Sequence, residues 1–153
     1  MRAIKNIRLR HYDYSSDGYY FVTICTDYLK PYLAGHTKFV VAQFIGQTFD
    51  GKYIPGITLD WNIIMPTHIH LILILEKCNS KLGEIIRRFK ARTSKTIDFK
   101  IWQPNYYEHV IRNEAALNRI REYIQNNPRV IEIKFEEFYK EEPNLLGKRQ
   151  RKL

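Results

Sequence analysis

The chain has 153 residues, of which 44% are hydrophobic and 14% aromatic, so it is long enough for one well-packed domain and short for two. Its formal net charge of +9 exceeds what solubility requires and indicates a polyanionic partner, most commonly nucleic acid, with a basic ribosomal or membrane-surface protein as the alternative. No apolar run is long enough for a signal peptide or a membrane span, and Cys25 and Cys78 lack the spacing of a zinc ribbon or a disulfide framework, so we expect a soluble, cytoplasmic protein with buried thiols.

The first half of the chain is dominated by strand patterns. Residues 19–26 follow a turn-forming SSDG and are aromatic and β-branched, which predicts a strand. Residues 39–50 are ambiguous between helix and strand, and the spacing of their apolar positions favours a helix. Residues 57–65 and 68–75 are two apolar runs joined by Pro66 and Thr67, which predicts an antiparallel hairpin.

The period changes to that of a helix in the second half. From Ser80, as the predicted N-cap, apolar residues recur on one face up to Ile97. Residues 101–112 are predicted to be an extended stretch and a loop, after which Asn113 caps another helix that Pro128 ends. Residues 130–135, VIEIKF, alternate like a further strand. Residues 141–153 form a basic tail, so residues 1–140 are predicted to be the single domain.

This order of elements predicts an α+β fold, a ferredoxin-like or RRM-like sandwich with a mostly antiparallel sheet. We expect helices to cover one face of that sheet.

Two histidines, His68 and His70, interrupt the most apolar segment of the chain. Because side chains alternate between the faces of a strand, both imidazoles project on the same side. Adjacent imidazoles are suited to bind one divalent metal as neighbouring ligands. The alternative is that both histidines are simply packed in a polar patch.

The helix that Asn113 caps adds a phenol and an amide at helical spacing. Tyr123 and Asn127 are four residues apart and therefore neighbours on one face. If this helix lies over the histidine strand, Asn127 can supply an oxygen ligand and Tyr123 can reach what the metal polarises. Alternatively, Tyr123 is an amphipathic residue that flanks the core beside Ile120 and Ile124.

Five segments in order, YFVTICT, WNIIMPTHIHLIL, IIRRFKARTSK, IWQPNYYEHVIRNE and REYIQNNP, resemble the successive motifs of the REP-associated tyrosine transposases. These enzymes belong to the HUH superfamily of single-domain transposases. The resemblance spans nearly the whole chain and implies that the HUH element is His68-Ile69-His70. It further implies that Tyr123 is the nucleophile and that Asn127 is a metal ligand. Where many members have Asn before the first histidine, this chain has Thr67.

The resemblance also implies the reaction and its partners. A divalent ion, Mg²⁺ or Mn²⁺, would assist Tyr123 in nicking and rejoining single-stranded DNA next to a hairpin through a 5′-phosphotyrosine. Tyr106 and Tyr107 are the rival nucleophiles. We expect a nucleoid-associated monomer, with a homodimer as the alternative.

Basic side chains suited to phosphate contacts lie in two regions. The predicted DNA-binding residues are Arg87, Arg88, Arg92 and Lys95 on a helix, and Lys148, Arg149, Arg151 and Lys152 in the tail. A solvated surface is the alternative interpretation of both groups.

Two other functions compete with the transposase reading. One is a hairpin-binding module that keeps the histidines without turnover. The other is a zinc hydrolase, which would need a carboxylate ligand at motif spacing, and the sequence offers none there.

Overall fold

The structure, a computed structural model, describes residue 9 and residues 11–140. Its helices and strands, in chain order, are β1 (Gly18–Cys25), α1 (Gly35–Thr48), β2 (Ile57–Met65), β3 (His68–Leu75), α2 (Leu82–Ile97), β4 (Tyr107–Ile111) and α3 (Glu114–Asn126). Two short 3₁₀ turns, Asp27–Leu29 and Phe135–Tyr139, complete the described part. None of its helices is long and apolar enough to cross a membrane.

The four strands form one antiparallel sheet in the order β2-β3-β1-β4. A β-α-β-β-α-β sequence with this strand order is the ferredoxin-like arrangement, so the predicted α+β fold is confirmed. The predicted hairpin is also confirmed, since β2 and β3 pair from Met65 opposite His68 to Ile57 opposite Leu75.

The two faces of the sheet carry separate hydrophobic clusters. On one face, alternate residues of β1 and β3 pack with α1 and α2. On the other, Phe21 and Ile72 pack with α3 and with aromatic residues of the Phe135–Tyr139 turn. The expectation that helices cover only one face was therefore wrong. The third helix needs its own apolar surface, and the sheet offers one because Phe21 and Ile72 point away from the main core.

Two predictions for the second half of the chain were also wrong. Residues 130–135 are not a strand; they run over the face that carries α3, where Ile133 and Phe135 pack against its cluster. Their alternation of apolar and polar residues suits an extended segment lying across a sheet as well as a strand within it. Conversely, the predicted loop contains β4, a short edge strand that pairs with β1.

The predicted helix caps differ in outcome. Asn113 caps α3 as predicted, with its Oδ1 accepting a hydrogen bond from the backbone N–H of Ala116 at 2.8 Å. Lys81, not Ser80, is the N-cap of α2, and it makes no side-chain capping bond. The helix is instead fixed by its apolar face, from Leu82 to Phe89, in the main core. Cys25 and Cys78 are free, buried thiols, as predicted.

Candidate active site

His68 and His70 project from the same face of β3, the face on which α3 packs. Their ring centroids are 4.7 Å apart, and the residues are only 2% and 0% exposed. Ile69 and Leu71, which point the other way, belong to the main core. The strand is therefore held by its apolar side while both imidazoles stand together on the opposite side.

Each imidazole is oriented by a threonine. The Nδ1 atom of His70 lies 2.8 Å from Thr23 Oγ1, and Nδ1 of His68 lies 3.0 Å from Thr67 Oγ1. Thr23 stands directly opposite His70 in the β1–β3 register. Sequence analysis did not single out Thr23, because its partner is known only once this register is known.

Both histidines direct their other nitrogen to one atom. Nε2 of His68 is 2.8 Å, and Nε2 of His70 is 3.1 Å, from the backbone carbonyl oxygen of Pro128. Since a carbonyl oxygen only accepts, both Nε2 atoms donate here and the two threonine hydroxyls donate to the Nδ1 atoms. The two Nε2 atoms thus converge on one point beside the C-terminal end of α3.

Burial keeps both imidazoles neutral. It lowers the pKa of His68, and it lowers the pKa of His70 to about 3, with the positive charge of a protonated His68 adding to the effect. Neutral imidazole is the form that binds a metal, so near pH 7 no proton has to be removed from a cationic ring.

Tyr123 and Asn127 are placed by α3 on the same side of the sheet as the histidines. Tyr123 is half-buried, with its ring packed edge-on against Phe138 at a centroid distance of 5.4 Å. Asn127 is the exposed C-cap of α3, and its Nδ2 donates to the carbonyl oxygen of Tyr123 at 2.9 Å. The structure brings the two histidines together, whereas the Asn127 amide bonds to its own helix and makes no hydrogen bond to them.

Residues 128–140, the covering segment, lie over this face. The ring of Phe135 stacks on His109 at a centroid distance of 4.1 Å and contacts Phe21. The Tyr139 hydroxyl lies 2.6 Å from Nε2 of His109. An open cavity of about 310 Å³ is lined by Tyr123 and by covering-segment residues that include Glu132, Lys134 and Glu137.

The two rival tyrosines have different surroundings. Tyr106 is 7% exposed and belongs to the main core on the opposite face. Tyr107 is in β4 opposite Thr23, its hydroxyl donates to Glu132 at 3.2 Å, and burial raises its pKa to about 12, with the Glu132 carboxylate adding to the effect.

The predicted DNA-binding residues of α2 have different surroundings. Arg87 and Arg88 both pair with Glu84, at 2.7 and 3.1 Å. Arg92 lies over the ring of Tyr53, 4.0 Å from its centroid. Lys95 is exposed in the last turn of α2. The tail residues Lys148, Arg149, Arg151 and Lys152 lie outside the described residues.

Within the described part of the chain, no group of three or more His, Cys, Asp or Glu side chains is arranged to hold a metal.

A known protein family matches the part of the chain that contains these elements. The family model described as Transposase IS200 like matches residues 14–127, which span β1 to the end of α3. The chain belongs to the IS200-like transposases. The predicted resemblance is thereby confirmed at the level of the family.

The chain is also similar to individual proteins. An uncharacterised protein of Haemophilus influenzae is 38% identical over 162 aligned positions, covering 81% of this chain and 87% of that protein. The REP-associated tyrosine transposase of Escherichia coli is 31% identical over 67 positions, covering 43% of this chain and 41% of the relative. Among solved structures, a REP-associated tyrosine transposase bound to a REP hairpin matches with a TM-score of 0.65 at 22% identity, covering 82% of this chain and 73% of that one.

Proposed function

We propose that this transposase nicks and rejoins single-stranded DNA next to a hairpin, through a 5′-phosphotyrosine on Tyr123 and with a divalent metal. The observation that carries the proposal is the convergence of both Nε2 atoms, from His68 and His70, on one point beside the end of the α3 helix. Packing alone does not require two buried imidazoles to share one acceptor.

The donor set fits a divalent ion, Mg²⁺ or Mn²⁺, held by His68, His70 and Asn127. Each imidazole can present a bare Nε2 if its proton moves to Nδ1, where the oxygen of Thr23 or Thr67 can accept it in a hydrogen bond. Asn127 is exposed at the helix end, so its amide is able to turn towards the pair. When bound, the ion would neutralise charge on the scissile phosphate.

Tyr123 is the best-placed nucleophile of the three candidates. Its half-buried ring lines an open cavity on the histidine face, whereas Tyr106 lies in the core of the other face. Tyr107 shares the histidine face, but the raised pKa of its phenol and its bond to Glu132 make it a poorer nucleophile.

The reaction exchanges one phosphodiester for another. The phenolic oxygen of Tyr123 forms a bond to phosphorus while the bond from phosphorus to the 3′ oxygen breaks. The phenolic proton is lost to solvent and the leaving 3′ oxygen takes up a proton. Joining is the reverse, with a 3′ hydroxyl attacking the phosphotyrosine. No net bond energy is lost, so cutting and joining need no nucleotide cofactor.

A DNA hairpin with a single-stranded flank is the proposed partner. The net charge of +9 suits a phosphate backbone, and the solved relative is bound to a REP hairpin. On α2, Lys95 is exposed, and the pairs of Arg87 and Arg88 with Glu84 lie at the surface, where exchanging a carboxylate for a phosphate costs little. We include Arg92 and the tail residues Lys148, Arg149, Arg151 and Lys152 in the proposed contact surface.

The decisive test is Tyr123→Phe, which removes one oxygen and leaves the ring packed on Phe138. A labelled oligonucleotide carrying a hairpin and its flank is incubated with Mg²⁺ or Mn²⁺ and run on a denaturing gel. We expect the wild type to shift the label by the mass of the protein and Tyr123→Phe to give no adduct and no cleavage. Tyr107→Phe is the matched control and should still form the adduct.

Three results would contradict the assignment. An adduct with Tyr123→Phe would identify another nucleophile, and cleavage without an adduct would indicate attack by water. Hairpin binding by the wild type without any adduct would favour the hairpin-binding module without turnover.

A further inference from the structure

The loop that follows β1 exposes aromatic rings next to lysines. Tyr28 is 62% exposed and Phe99, from the segment after α2, is 42% exposed. Tyr32 packs edge-on against Phe99 with ring centroids 5.0 Å apart. Lys30 and Lys100 are exposed in the same two segments. We name these five residues the aromatic patch.

Direct contacts hold the two segments of the patch together. The backbone N–H of Asp27 donates to the carbonyl oxygen of Ile101 at 2.7 Å, and the carboxylate of Asp27 lies 3.8 Å from Nζ of Lys100. The rings and lysines therefore belong to one surface, although one segment follows β1 and the other lies between α2 and β4 in the sequence.

The backbone under Tyr28 is in an unfavourable conformation. Tyr28 and Leu29 have φ values of 55° and 52°. These values lie in the left-handed region, which residues other than glycine and asparagine rarely adopt. Consecutive residues of this kind are strained, and strain of this kind is concentrated at functional sites. At Tyr28 the strained backbone holds a large ring in solvent, so burial of the ring does not offset the strain.

The aromatic patch lies at the same end of the sheet as the histidine pair. Cys25, the last residue of β1, stands opposite His68. The backbone N–H of the next residue, Thr26, donates to the carbonyl oxygen of Thr67 at 2.9 Å. The Thr26 hydroxyl lies 2.7 Å from the carbonyl oxygen of Lys30 and 3.0 Å from that of Thr67. Thr67 in turn holds the imidazole of His68. The loop is thus hydrogen-bonded directly to the turn that orients a proposed metal ligand.

We propose that the aromatic patch is a stacking platform for unpaired nucleobases of the DNA strand that enters the site. This inference rests on the proposed function. Single-stranded DNA offers base faces to aromatic rings and phosphates to lysines, whereas the bases of a duplex are stacked on one another and give no free face. Tyr28 and Phe99 supply the rings, and Lys30 and Lys100 supply positive charge beside them.

The test compares a hairpin alone with the same hairpin carrying its single-stranded flanks, by equilibrium binding at fixed salt. Every protein carries Tyr123→Phe, so that no cleavage occurs and the result does not depend on whether the chain is catalytic. We expect flanks to tighten binding, and Tyr28→Leu or Phe99→Leu to reduce that gain at least about fivefold, the lower end for one base stacked on a ring. Binding to the hairpin alone should not change.

Two matched variants separate stacking from other effects. Tyr28→Phe keeps the ring and should keep the gain from the flanks. Phe39→Leu removes a ring that is 59% exposed on α1 and should also leave the gain unchanged. Replacing one flank base by an abasic site should weaken flank binding by the unchanged patch about as much as Tyr28→Leu or Phe99→Leu does. When the abasic site is combined with the substitution of the ring that its base stacks on, the two losses of binding free energy should not add.

Flanks bound equally well by Tyr28→Leu, Phe99→Leu and the unchanged patch would overturn the platform. Equal weakening of the hairpin with and without flanks would overturn it too. If the chain with Tyr123 intact formed no covalent adduct, but flank binding in the Tyr123→Phe background still depended on both rings, the platform would stand and the proposed reaction would fall.

Discussion

At the residue scale, the hydroxyl of Thr23 controls how His70 is presented. Thr23→Val keeps the shape of the side chain and removes the 2.8 Å contact between Oγ1 and Nδ1 of His70. Losing such an outer partner typically weakens metal affinity or activity about 10- to 100-fold. We therefore expect adduct formation to require a correspondingly higher Mn²⁺ concentration, measured by titrating the metal on denaturing gels.

Thr93→Val is the matched control for Thr23→Val. Thr93 is a fully buried threonine of α2 whose hydroxyl accepts from Trp102 Nε1 at 2.7 Å, on the other side of the sheet. It should affect stability without changing the metal requirement. If Thr23→Val and Thr93→Val shifted the Mn²⁺ dependence equally, Thr23 would have only a structural role.

The sequence allowed the common face of His68 and His70 to be predicted, because strand alternation is a local rule. It did not reveal the shared contact with Pro128, since that carbonyl is brought there by the path of the chain after α3. Local periodicity carries no information about such a path.

At the scale of elements, an irregularity in β2 fastens α3 to the sheet. The β2–β3 register shifts between Leu59 and Trp61. As a result, both Asp60 and Trp61 contact the side of the sheet on which α3 packs. The Asp60 carboxylate accepts two hydrogen bonds from Arg121, at 2.6 and 3.0 Å. The helix that carries Tyr123 is thereby tied to β2 by a two-point contact.

We predict a coupling of about 1 kcal/mol between Asp60 and Arg121, since the pair is bidentate but partly open to solvent. The measurement is a double-mutant cycle of Asp60→Asn and Arg121→Gln by urea denaturation. Both single variants should also slow adduct formation, because α3 positions Tyr123. Additive effects on stability, or adduct formation at the wild-type rate in both, would show that the pair does not hold the helix in place.

Elements were predictable where one face of the period was strongly apolar. This holds for α2 and α3, and for the β2–β3 hairpin with its two-residue turn. The strand β4 was missed because it is a short edge strand rich in polar and half-buried residues. Residues 130–135 of the covering segment were predicted to be a strand because period-two alternation does not distinguish pairing within a sheet from packing across it.

At the scale of the whole molecule, acid should loosen the face that carries α3. Burial lowers the pKa of His109 to about 4, with the cation of Arg112 adding to the effect and Glu136 opposing it. Burial likewise lowers the pKa values of His68 and His70. These groups are neutral in the folded chain and take up protons more readily when it unfolds. Their contribution to stability is therefore complete above about pH 6.5 and is lost as the pH falls towards 4.

We expect the urea midpoint of the metal-free protein to fall between pH 7 and pH 5. His109→Gln keeps a side chain that can bond the Tyr139 hydroxyl but does not titrate, so its midpoint should fall less. A decrease as large as that of the wild type would mean that His109 contributes nothing to the acid sensitivity.

The central position of β1 determines when this site can come into being as the chain folds. The β2–β3 hairpin closes locally across Pro66 and Thr67, whereas β1 joins it only by a long-range pairing, and β4 joins β1 by a still longer one. A chain that has formed its hairpin holds both histidines but lacks Thr23 beside His70 and the Pro128 carbonyl between the rings. The arrangement of the two histidines with Thr23 and Pro128 is thus completed late in folding, so partly folded chains, including those still being synthesised, would hold the histidines without the geometry that is proposed to bind a metal.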